Sequence, residues 1–278
     1  MDQIQRYAAI YQHFDAWPEG SREKLFFDRL AAMDIVSAHP FILELFVTHQ
    51  GDDHDISKVL TDLESFLVRR MICGLNTRGY NRLFVDMLGA LEGDGSVSER
   101  LRQFLLSSTA ASNRWPDDKE FEEAWISKPI YEILVQRRIQ MLLHALNLEM
   151  RNKMTEEIKY KKLQIEHLLP RSWQKHYPLP SGIEAQVAIE RRNSVLNTVG
   201  NLTLITPPLN NYNSNDLWAR KPKNILKHSA LNLNRNLETF GEWSEDAIRN
   251  RSIALFETAK QIWPHPGASM NRIKISEP

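Results

Sequence analysis

QIEHLLPRSW, residues 164–173, sets a carboxylate and an imidazole side by side in an apolar run that a proline closes. A run this short, mixed in character and stopped by Pro170, suits a strand entering a loop better than a helix. On a strand, neighbouring side chains point to opposite faces. Glu166 and His167 therefore reach one site only where the backbone bends as the strand ends, and Pro170 suits such a bend. Downstream, NTVGNLTLIT (197–206) alternates apolar with polar residues and is rich in threonine and valine, which predicts a second strand. PPLNNYNSNDLWARKPKNILKHS follows, and its paired prolines and clustered asparagines mark a loop, with a short helix expected around Asp216 to Arg220. SEDAIRNRSIALFETAKQIW then reads as a helix capped by Ser244, with acidic residues in its first turn favouring the helix dipole. After about residue 155 the expected order is strand, loop, strand, helix.

Upstream the chain reads as helices. SREKLFFDRLAAMDIV has Ser21 at an N-cap position and Leu25, Phe26, Leu30 and Met33 at helical spacing. PFILELFVTHQ opens with proline in a first turn, and DISKVLTDLESFLVRRMICG carries an apolar stripe that ends at Gly74, a natural C-cap. NRLFVDMLGAL, SVSERLRQFLL and the long IYEILVQRRIQMLLHALNLEM continue the pattern, the last as one helix. The sequence thus predicts an α+β, predominantly helical chain with two domains, a helical one over 1–152 and a second over 153–278.

Composition bounds the function. Of 278 residues, 42% are hydrophobic and 25% charged, ordinary values for a folded globular chain. A single cysteine, Cys73, leaves no internal disulfide and no zinc ribbon, which suits a reducing compartment, so a cytoplasmic protein is expected. No apolar run is long enough for a membrane helix, and the opening residues lack the pattern of a secretory signal, so no membrane partner is expected. Net charge is zero, yet it is unevenly spread: residues 1–60 hold five Lys/Arg against ten Asp/Glu, a balance of −5. Residues 151–235 hold fourteen against six, a balance of +8, and they include the opening stretch. A cationic surface can neutralise phosphates, whereas an acidic one suits a protein contact.

A metal-dependent phosphodiesterase must polarise the phosphate, stabilise the leaving oxygen and deprotonate a water. Glu166 could supply one oxygen to a hard divalent cation, and the asparagines between Asn210 and Asn215 offer amide oxygens for a second. A neutral His167 could take the proton from water. Taken singly, the histidine reads more simply as a packed core residue, the glutamate as a surface carboxylate and the asparagines as loop punctuation. Their joint occurrence around GNLTL is what favours a site.

IEHLLPRSW followed by VGNLTLITPPLNNYNSN resembles the two halves of an HNH endonuclease site of the ββα-metal type, in the version carried by GmrSD-type restriction proteins. The resemblance makes Glu166 the acidic metal ligand and His167 the general base. It makes Asn201 the middle asparagine that holds the loop between the strands through backbone hydrogen bonds, and Asn210 the amide metal ligand. Asn211 and Asn215 are the alternatives to Asn210. It implies one Mg²⁺ or Mn²⁺ ion, DNA as substrate, and a setting in bacterial restriction of phage DNA, in some cases modified DNA. SFLVRRMICGLNTRGYNRLF and the final helix are similar to further segments of the family, and Arg251 matches a recurrent arginine there, read as an ion pair or a DNA contact. Complete members begin with a ParB-like nucleotide-binding domain of which no motif is found here. The chain is therefore expected to correspond to the C-terminal half, as a short protein, a split subunit or a fragment. A homodimer is one expected assembly. The alternative function is a DNA-binding or regulatory subunit that needs a partner bearing that nucleotide-binding domain. Arg171, Lys221, Lys223 and Lys227 flank the site in sequence and are the candidates for contacting DNA phosphates. Trp173, Trp218 and Trp243 read as packing residues.

Overall fold

In the computed structural model of the chain, which describes residues 2–14, 16–108, 113–151, 162–213 and 216–267, capping chemistry starts and stops several amino-terminal helices. α1 (Asp2–His13) precedes α2 (Arg22–Met33), where the Ser21 hydroxyl accepts the Lys24 N–H at 3.1 Å. α3 (His39–Thr48) takes Pro40 in its first turn, where the missing N–H costs nothing. α4 (Asp53–Ile72) ends at Cys73 and Gly74; a φ of 72° at Gly74 lets the Leu75 N–H return to Arg70 O at 2.9 Å. With α5 (Tyr80–Met87) and α6 (Val97–Ser107) these helices form one compact unit, Met1–Phe121 with Trp263–Pro278. At its centre the buried Glu64 carboxylate accepts from Arg22, from Arg29 at 2.5 Å and from the Trp263 indole at 2.8 Å. Three donors on one desolvated carboxylate make this hub structural, since removing any of them would strand buried charge.

α7 (Asp118–Ser127) carries the chain into the second unit, Glu122–Ile262. The single long helix expected next is two: α8 (Ile130–Ile133) and α9 (Gln136–Glu149). Leu134 and Val135 between them are extended, with ψ of 144° and 149°, so the apolar periodicity runs on while the backbone does not. β1 (Gln164–His167) follows and pairs antiparallel with β2 (Leu202–Ile205), placing Glu166 opposite Thr203 and His167 opposite Leu202. Between the strands lies a helix that the sequence reading missed, α10 (Ala185–Leu196). Its buried face comprises Ala188, Arg192, Val195 and Leu196, so an arginine interrupts the stripe that would have announced it. That arginine is fixed by Glu245 and by the carbonyls of Tyr177 and Pro178, over the Trp173 ring.

The asparagine-rich run expected as a loop is α11 (Pro207–Asn213), its prolines falling in the first turn where helices tolerate them. The short helix expected at Asp216 to Arg220 begins instead at Lys221, as α12 (Lys221–His228). α13 (Glu245–Ile262) closes the unit, and the Ser244 hydroxyl accepts the Ala247 N–H at 3.3 Å. The chain is therefore predominantly helical, with one two-stranded sheet among the described residues. α9 packs on both strands, α11 on β1, and α13 on the 3-10 turn Val199–Asn201 that leads into β2. Leu168, Leu169, Trp173, Leu209, Trp218, Ile225, Trp243 and Ile248 are among the buried core of this unit. Burial of each such large side chain contributes roughly 1.5–3 kcal/mol.

The contact between α13 and the 3-10 turn is set by Gly200. A Cβ there would lie 2.1 Å from Ile248 O and 2.3 Å from Ser252 Oγ, closer than any side chain tolerates. Beside it Arg251, fully enclosed, donates to Gly200 O at 2.7 Å and Leu202 O at 2.8 Å. Among the described residues Arg251 has no acidic partner, and its burial leaves it little surface to offer DNA; it ties α13 to the start of β2, and burial pushes its pKa down to about 9. Gly200→Ala is expected to destabilise the chain by about 3 kcal/mol, read as a lower urea midpoint at unchanged slope. An unchanged midpoint would mean the two segments are not packed this closely.

Candidate active site

β1 sorts its side chains onto two faces. Gln164 and Glu166, two residues apart, share one, and His167 takes the other. The backbone bends at Leu168 and Leu169, directly after the strand. Asn201 holds that bend: its Oδ1 accepts the Leu169 N–H at 2.7 Å and the Trp243 indole N–H at 2.9 Å. Its Nδ2 donates to Leu169 O at 3.0 Å and Leu196 O at 2.8 Å, so a fully buried amide is saturated by partners. Asn201 O also accepts the Leu168 N–H at 2.8 Å. This asparagine is committed to the backbone on both sides of the site.

Glu166 is 6% exposed and lies 2.5 Å, through Oε1, from Lys221 Nζ. Lys221 also donates to His167 O at 2.6 Å. Lys221 was expected at the surface against DNA phosphates. It is instead 0% exposed, because it starts α12 on the face that also buries Ile225 one turn later. Burial pushes the Glu166 carboxyl above its ordinary range and the Lys221 ammonium below its own, each opposed by the charge of the other. Lys223 and Lys227 occupy the opposite, exposed side of α12, and Arg171 is exposed with its guanidinium 6.0 Å from the Tyr131 ring.

His167 is 8% exposed. Its Nε2 lies 3.0 Å from Asn197 Oδ1, and its ring meets Tyr131 edge to face at 4.3 Å. Burial, helped by the positive charges of Arg171 and Lys221 and opposed by the Asn197 contact, lowers its pKa to about 4. The imidazole is therefore neutral at pH 7. Asn197 in turn donates through Nδ2 to Glu132 Oε1 at 2.5 Å. Neither Asn197, Glu132 nor Lys221 was given this part by the sequence. Asn197 lies beside GNLTL, but nothing in its spacing told a site residue from a helix terminus.

On the other face Asn210, half-buried on α11, donates Nδ2 to Gln164 Oε1 at 3.0 Å. The same bond turns its Oδ1 away, without a protein partner among the described residues. Asn211 is exposed on the same helix, and Asn215 lies outside the described residues. Two hard oxygens, Glu166 Oε1, which already meets the Lys221 ammonium at 2.5 Å, and Asn210 Oδ1, thus belong to elements packed on one strand face. By their chemistry they suit a hard divalent cation, which would take Glu166 through its other oxygen or displace Lys221 and complete its shell with waters and substrate oxygens. Among the described residues no group of three His, Cys, Asp or Glu forms a closed cage, so such a cation would depend on those waters.

Residues 115–258, just over half of the chain, match the family model described as GmrSD restriction endonucleases, C-terminal domain. No curated protein matches the chain. No helix among the described residues is long and apolar enough to cross a membrane.

Proposed function

The chain belongs to the GmrSD restriction endonucleases through their C-terminal domain, and on that premise we propose that it is an HNH-type nuclease that hydrolyses DNA phosphodiester bonds with one Mg²⁺ or Mn²⁺. The observation that carries this reading is a buried, neutral histidine at the end of β1, next in sequence to a buried carboxylate that takes the strand's other face, with an amide oxygen on the carboxylate's side; one site would need the end of β1 to bring the two faces together. β1, β2 and α11 would be the ββα element, and Glu166 and Asn210 would hold the ion. When bound, the ion would polarise the phosphate and stabilise the leaving oxygen. His167 takes the proton from the attacking water, and Asn201 keeps β1 and β2 in register around it. Arg171, Lys223 and Lys227 neutralise flanking phosphates. The setting we propose is restriction of phage DNA in the bacterial cytoplasm, with modified DNA among the substrates.

The test is incubation of the chain with unmodified and phage-modified plasmid in Mg²⁺, Mn²⁺ or EDTA. Nicking with either metal and none in EDTA supports the reading. Nicking that begins only when a subunit with a ParB-like nucleotide-binding domain is added moves the chain to a partner-dependent role.

A pH profile follows from the lowered pKa of His167. The base is the neutral ring, and a pKa near 4 keeps it neutral down to about pH 5, so His167 itself imposes no fall in kcat/KM from neutral to there, and any fall in that range comes from Glu166, whose carboxyl burial pushes up. Below about pH 4 kcat/KM should fall tenfold per unit. A fall centred on the ordinary histidine range would come either from Glu166 or from an imidazole that is not buried, and His167 ring ¹⁵N signals followed over the same range tell the two apart. The same shift is a stability statement. The folded pKa lies below the unfolded value, so this contribution is complete above about 6.5 and is lost as pH falls through 4, by about 3 kcal/mol.

A further inference from the structure

We propose that Glu132 and Asn197 are positioning residues that hold His167 as the tautomer with its proton on Nε2, so that Nδ1 is the atom that accepts the proton from water. Hydrogen-bond inventory assigns this in three steps. A carboxylate only accepts, so the Asn197 atom 2.5 Å from Glu132 Oε1 is the amide nitrogen. With the nitrogen committed there, the atom facing His167 Nε2 at 3.0 Å is the amide oxygen, which also only accepts. Nε2 must then donate, and a neutral imidazole carries one ring proton, which leaves Nδ1 with its lone pair.

The local fold supports a dedicated arrangement. Asn197 ends α10, but that role uses only its backbone: its N–H bonds Val195 O, and its carbonyl accepts the Tyr131 N–H at 3.1 Å. The side chain serves neither. The Tyr131 bond also anchors α8, and the extended Leu134 and Val135 let α8 leave the line of α9. Tyr131 and Glu132, neighbours on that turn, thus reach the His167 ring and the Asn197 amide. The part played by Nδ1 rests on the nuclease reading; the tautomer does not.

The test reads the two separately. The full chain is labelled with ¹⁵N-histidine, and the long-range ¹H–¹⁵N spectrum is recorded at pH 7, the His167 signals being assigned by their loss in His167→Gln. The expected spectrum shows a protonated Nε2 and a pyridine-like Nδ1. Glu132→Ala removes an exposed side chain, frees the Asn197 amide to rotate and should give a mixture of tautomers. It should lower kcat for plasmid nicking roughly tenfold to a hundredfold while KM stays within about twofold, as for loss of an orienting partner. Asn197→Leu should give the same mixture with Glu132 in place; if that variant does not fold, Glu132→Ala decides alone. A wild-type ring protonated on Nδ1, or one whose tautomer does not respond to Glu132→Ala, overturns the inference even if DNA is cut. The expected tautomer and response in a chain that cuts no DNA with any metal overturn the base assigned to Nδ1, and the fault then lies in the nuclease reading.

Discussion

His167→Ala is expected to slow DNA cleavage by a factor of about 10² to 10⁴ in a chain that remains folded. The imidazole combines a neutral state at pH 7 with a ring nitrogen fixed by a neighbour, Asn197. Losing it removes proton transfer from the attacking step and leaves the oxygens on the other face of β1 in place. The structural consequences are smaller: the ring's packing against Tyr131 is lost, and Asn197 Oδ1 loses its donor, at a cost of about 1–3 kcal/mol. Melting curves separate that loss from the catalytic one. The substitution also leaves a space of imidazole's shape, so free imidazole should restore part of the rate. Rescue marks a missing base, whereas a purely structural histidine would give a protein that imidazole does not revive. Full nicking activity in the folded variant would exclude His167 as the base.

The two strands were legible because their signals are local. QIEH runs into a proline and LTLI alternates within a threonine- and valine-rich run, and both pair in the register that puts Glu166 opposite Thr203. What failed was reading prolines and asparagines as loop formers at Pro207–Asn213, since a helix accepts proline in its first turn and α11 has its prolines there. α10 was lost to a buried arginine, and the single long helix before β1 to an extended break that no proline or glycine announces. Glu132 and Asn197, far apart in sequence, meet at His167 only once the break before α9 has formed, so no spacing rule could have paired them. Lys221 was a different kind of error. Two residues on a helix are about 200° apart, so Lys221 and Lys223 could never share a face, and helical geometry alone is enough to divide them.

That division gives the second large effect. Lys221→Met should destabilise the chain by about 3–5 kcal/mol, because it leaves the Glu166 carboxylate buried without its charge partner and removes the donor to His167 O. If Lys221 contacted phosphates instead, the same substitution would weaken DNA binding, flatten its dependence on salt and leave stability within about 0.5 kcal/mol. Lys223→Ala and Lys227→Ala, on the exposed side of α12, should show that second pattern, each reducing the salt slope by about one. Urea denaturation and binding at several salt concentrations distinguish the two. A double variant, Glu166→Gln with Lys221→Met, sharpens the assignment. It removes both charges together, so it should recover most of the stability that Lys221→Met loses. It should nevertheless remain inactive, because the carboxylate proposed to hold the ion is gone. Recovery of cleavage in that double variant would show that Glu166 serves only to satisfy Lys221, and the ion would have to be held elsewhere.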